Sequence, residues 1–77
     1  MTRQEAIQQA LNERQSVIES LLDTVSPENR GWYEAYVTEN YAALVESVFQ
    51  WKHTDFGFRG IEMKQELERR GLWRLGI

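Results

Sequence analysis

His53 and Asp55 stand two residues apart in the run FQWKHTDFGFRG, and a histidine beside a carboxylate invites a general-base or metal-ligand reading. Either chemistry needs more than the pair. An extended backbone would bring the two side chains near each other, yet the chain has no Cys and no second His to complete a metal set. None of the Ser, Thr or Tyr hydroxyls has an activating constellation around it in the sequence. Gly57 and Gly60 precede a helical segment, but their spacing is too short for a phosphate loop and no Lys-Ser/Thr follows. These residues point away from an enzyme and toward a chain that uses neither metal nor cofactor.

The same run carries chemistry of another kind. It holds four of the nine aromatic residues, and the terminal stretch GLWRLGI adds Leu72, Trp73, Leu75 and Ile77. Trp and Arg are among the residues that most often dominate binding energy at protein interfaces. Trp51, Phe58, Arg59, Arg70 and Trp73 are therefore the candidate contact residues for another protein. Lys52, Arg59, Lys64, Arg69 and Arg70, interleaved with aromatics, define the alternative of a nucleic-acid-associated regulator. Against the alternative stands a pI of about 5.1, where nucleic-acid binders carry a basic surplus.

Charge divides the chain. Residues 1–48 hold three cations against eight acids, a net of −5, while residues 49–77 hold six against four, a net of +2. Such asymmetry speaks to partners rather than to fold. Glu28, Glu34, Glu39 and Glu46 could also imitate a nucleic acid, although a net charge of −3 is small for a mimic. The N-terminal segment lacks the apolar core of a signal peptide and no apolar run approaches membrane-spanning length. The expectation is a soluble cytoplasmic protein.

Two long helices must position these residues. Thr2 and Glu5 form a capping-box pattern, and Ile7, Ala10, Leu11, Val17, Ile18, Leu21, Leu22 and Val25 then recur at spacings of three and four. Ser26-Pro27 ends that helix and starts the next, with Ser26 as N-cap. The second apolar stripe runs Tyr33, Tyr36, Val37, Leu44, Val48 and Trp51, with Trp32, Tyr41 and Ala43 at its margins. A connection this short makes the helices antiparallel neighbours. Arg14 and Asn40 each interrupt a stripe about thirteen residues from the turn, so they are expected to meet across the hairpin, or to share a third group such as Glu39 or Tyr36, as a structural polar pair.

A third helix is expected from Gly60 to Arg70, with Gly71 as its C-terminal cap. Its apolar face, chiefly Met63 and Leu67, is thin, so Phe56, Phe58, Leu72 and Trp73 must anchor it. The whole reads as one small all-α domain over residues 1–77: an antiparallel helical hairpin, a shorter third helix and an apolar C-terminal tail. Its expected function is that of a non-enzymatic protein-binding module, as inhibitor, adaptor or regulatory subunit, with a homodimer compatible.

Overall fold

In the computed structural model, which describes residues 2–53 and 58–73, the chain forms four α-helices and the described residues contain no strand. They are α1 (Arg3–Asn12), α2 (Arg14–Leu22), α3 (Arg30–Trp51) and α4 (Gly60–Arg69). The expectations placed on residues 54–57 and 74–77 lie outside the described residues. No helix among those described is long and apolar enough to cross a membrane.

The first helix begins as its sequence dictates. Thr2 Oγ1 accepts the Glu5 N–H at 3.2 Å and the Glu5 carboxylate accepts the Thr2 N–H at 3.4 Å, a reciprocal capping box. The single helix expected over residues 2–25 is instead two. The interruption falls at Glu13, whose φ of −96° and ψ of 18° leave the helical range. Its cause lies in α3. The buried Tyr41 hydroxyl donates to the Ala10 carbonyl at 2.7 Å, the group that an unbroken helix would offer to the Arg14 N–H. A side chain inserted into the i→i−4 ladder is a recognised origin of helix kinks.

The next helix also starts later than Ser26. Residues 27–29 form a turn in which the Asn29 N–H reaches the Ser26 carbonyl at 3.0 Å and Asn29 Nδ2 donates to Ser26 Oγ at 3.2 Å. Asn29 is the N-cap residue of α3. Arg30 Nε donates to the Leu22 carbonyl at 3.1 Å, a second bond to an α2-terminal acceptor that also takes the Val25 N–H at 3.1 Å. Further along α3, Arg14 Nη2 donates to the Thr38 carbonyl at 3.2 Å, and Tyr41 meets Ala10. Successive positions of α3 thus bond to progressively earlier residues of α2 and α1.

The core collects Val17, Ile18 and Leu21 from α2, Val37, Leu44, Val45 and Val48 from α3, and Met63 and Leu67 from α4. On α3 the buried arc is wider than the expected stripe: Tyr41 and Val45 join it, while Trp51 remains 41% exposed. The reason is that α3 packs against three other helices and must present apolar groups to each.

Helix α4 is held at both ends. Where it meets α2, a Cβ on Gly60 would stand 2.5 Å from the Leu21 backbone nitrogen and 2.7 Å from the Ser20 carbonyl carbon, so only glycine permits this approach. At the far end Gly71 takes φ +74°. The Leu72 N–H bonds to the Leu67 carbonyl at 2.8 Å and the Gly71 N–H to the Glu68 carbonyl at 2.9 Å, the two bonds of a Schellman cap. Leu72, the residue after the glycine, packs against the core.

Candidate interaction site

Position 66 is one turn after Met63 and adjacent to Leu67, on the buried side of α4, and it carries a glutamate. Glu66 has no exposed surface. A carboxylate withdrawn from water is tolerated only when donors replace its hydration, and five hydrogen bonds from four side chains do so here. Ser47 Oγ donates to Oε1 at 2.7 Å, Arg70 Nε to Oε1 at 2.6 Å and Arg69 Nη2 to Oε1 at 3.0 Å. Trp51 Nε1 donates to Oε2 at 2.5 Å and Arg69 Nε to Oε2 at 2.9 Å. Arg69 Nη2 also reaches Ser47 Oγ at 2.9 Å.

Helical spacing creates this arrangement. Ser47 and Trp51 lie four residues apart and share one face of α3; Arg69 and Arg70 follow Glu66 by three and four and reach back along α4. Burial would raise the Glu66 carboxyl, but bonds from Arg69, Ser47, Arg70 and Trp51 outweigh it and hold the pKa down to about 2 from 4.5. The Glu66 hydrogen bond in turn raises both Arg69 and Arg70.

The far sides of these donors meet solvent. The Trp51 ring is 41% exposed, and the Arg69 guanidinium carbon lies over it, 6.0 Å from the ring centroid. Arg70 interacts with the Tyr36 side chain, which stacks on Trp32 at 5.3 Å with the ring planes 11° apart. Trp32 is itself 50% exposed. Lys52 Nζ donates to Gln65 Oε1 at 2.6 Å beside Trp51. The outcome is a row of rings and guanidinium groups, Trp32–Tyr36–Arg70–Arg69–Trp51, along the α3–α4 seam.

Of the five contact residues expected from sequence, Trp51 and Arg70 come together here as partners of Glu66. Phe58 does not belong to a surface. It is 2% exposed, packed against Phe49 at 6.0 Å and Tyr41 at 6.4 Å, because α4 needs that ring to anchor its approach to the hydrophobic core. Arg59 is exposed but elsewhere, lining a groove of about 570 Å³ with Gln9, Glu13, Ser16 and Ser20. Trp73 is half-buried against the core, tilted on Tyr33 at 5.1 Å, with Lys64 Nζ 5.3 Å from its ring centroid. Its indole N–H is buried and lacks a hydrogen-bond partner among the described residues.

The expected Arg14–Asn40 pair resolves into two backbone contacts. Arg14 reaches across to the Thr38 carbonyl, whereas Asn40 Nδ2 donates to the Tyr36 carbonyl of its own helix at 2.9 Å. The break at Glu13 resets the rotation of α2 relative to α1, so a register counted along one straight helix does not hold. Of the cations of the nucleic-acid alternative, Lys52, Arg69 and Arg70 gather around Trp51 and Glu66, whereas Lys64 lies by Trp73 and 4.0 Å from Glu68 and Arg59 lines the separate groove.

Glu66, Ser47, Trp32 and Tyr36 were not among the sequence candidates. A signal for Glu66 existed, since a carboxylate interrupts the Met63–Leu67 face as Arg14 and Asn40 interrupt theirs. Nothing local marks Ser47 as its partner. Among the described residues no group of three His, Asp or Glu side chains is placed to hold a metal ion. No protein-family model, curated protein sequence or solved structure matches the chain.

Proposed function

We propose that this chain is a small non-enzymatic protein-binding module, an inhibitor, adaptor or regulatory subunit, in which α1–α2 and α3 form an antiparallel hairpin with α4 clasped to its side. Its contact face is the seam of Trp32, Tyr36, Arg70, Arg69 and Trp51. One observation carries the reading: the partly exposed Trp51 ring is held through its indole N–H by Glu66 and overlain by the Arg69 guanidinium, so the groups that best supply interface energy are already immobilised. An immobilised side chain loses less conformational entropy when a partner docks, which leaves more of the contact energy as affinity.

Site-specific photocrosslinking in cell lysate, with and without nuclease treatment, tests this. A benzophenone side chain at position 43, exposed and one turn from Ser47, is compared with one at position 8, exposed on α1. A discrete protein adduct at position 43 and none at position 8 is the expected result. Equal or absent labelling at the two positions contradicts the assigned face. Adducts that vanish on nuclease treatment turn the reading to the nucleic-acid-associated regulator.

A further inference from the structure

The contact face is the positive pole of an acidic molecule. Lys52, Arg69 and Arg70 contribute three positive charges and Glu66 one negative, so the face carries +2, and the rest of a chain whose net charge is −3 carries −5. The two guanidinium groups are aimed by the same carboxylate. Arg70 meets Glu66 through Nε, and Arg69 through Nε and Nη2. Each planar fork has five N–H donors; Glu66 and Ser47 take three of those on Arg69, leaving its Nη1 pair, and Glu66 takes only the Nε–H of Arg70, so donors remain on both. Pre-aimed guanidinium edges suit carboxylate oxygens, which accept two parallel N–H bonds at once. Beside them the half-exposed Trp51 ring offers an apolar and π surface.

Building on the interface reading above, we propose that the partner presents an acidic peptide segment, with carboxylates seated on Arg69 and Arg70 and an apolar side chain against Trp51. Lys52 reinforces the attraction from the end of α3. The net charge of −5 on the rest of the chain disfavours such a segment elsewhere, so charge helps to select the site as well as strengthening it. Phosphates could satisfy the same guanidinium edges, but a nucleic acid would bring a continuous row of them against a molecule that carries −5 outside this patch.

The probe is a capped peptide of alternating leucine and glutamate, titrated into isotopically labelled protein and followed by amide and indole N–H shifts. The expected result is saturable binding, with the largest changes at the Trp51 indole and at Ser47, Arg69 and Arg70. The lysine counterpart of the peptide should not bind. Two variants at exposed Ala43 give the sign without disturbing Glu66: Ala43→Glu should weaken binding about fivefold and Ala43→Arg should strengthen it about as much. Four results overturn the inference: no saturation at millimolar peptide, changes centred on another face, equal weakening by both variants, or tighter saturation by an oligothymidylate. A protein adduct at position 43 alongside any of these would leave the interface standing and remove only its acidic partner.

Discussion

At the scale of single residues, Glu66 and Tyr41 are two polar groups that the hydrophobic core encloses for different reasons. For Glu66 the folded pKa lies below the unfolded value, so its contribution to stability is complete above pH 4.5 and is lost as pH falls toward 2. The shift corresponds to about 3 kcal/mol. Glu66→Gln should therefore destabilise the fold by a similar amount at pH 7 and flatten the acid limb, since the group that titrates is gone; urea unfolding at pH 7 and pH 3 checks both. Tyr41 behaves in the opposite sense. Burial first, and Glu13 second, push its hydroxyl up to about 12 from 10. Its contribution is whole below pH 10 and lost as pH rises through 12. Tyr41→Phe leaves the buried Ala10 carbonyl without that donor and should cost about 1 kcal/mol, measured as a lower urea midpoint at pH 7.

At the scale of elements, the two ends of α4 separate two roles of glycine. Gly60→Ala places a methyl group against backbone atoms of α2 that cannot step aside, so the helices must part; a loss of about 1–3 kcal/mol is expected. Gly71→Ala meets nothing within 4 Å, yet it must hold φ +74°. It should cost about 1 kcal/mol through conformation alone. Thermal melts of the two variants check the order, and Gly60→Ala should also disturb Phe58 and Leu21 resonances while Gly71→Ala leaves them in place. Elements whose cause is local were legible in the sequence: the Thr2–Glu5 box, the break at Ser26-Pro27, and the start and cap of α4, although the turn over residues 27–29 delays α3 beyond the expected Ser26 cap. The break at Glu13 was not, because its cause is the Tyr41 hydroxyl, thirty-one residues along the chain from the Ala10 carbonyl that it occupies. The candidate site divides in the same way. Trp51 and Arg70, which the structure brings together at Glu66, stood out by residue type. Phe58 is buried, which the sequence did not show because exposure cannot be read from an aromatic beside a cation, and Ser47 had no local mark because only the crossing of α3 and α4 makes it a partner.

At the scale of the whole molecule, a chain this short buries only about 60% of its unfolded surface, and its stability is correspondingly narrow. In such a protein a buried carboxylate with two arginines is a costly way to join helices, since an apolar residue would join them without desolvating a charge. What the arrangement provides is orientation: it holds Trp51, Arg69 and Arg70 at fixed positions on the surface of the α3–α4 seam. The central claim is that Glu66 is ionised and fully hydrogen-bonded at the base of that face. Carbon-13 titration of the Glu66 side-chain carboxyl measures this directly. A midpoint near pH 2, with the Trp51 indole N–H shifting over the same range, is the predicted result. A midpoint near 4.5, with an indole that does not respond, would mean that the carboxylate is not bonded to these donors and that the face has no common anchor.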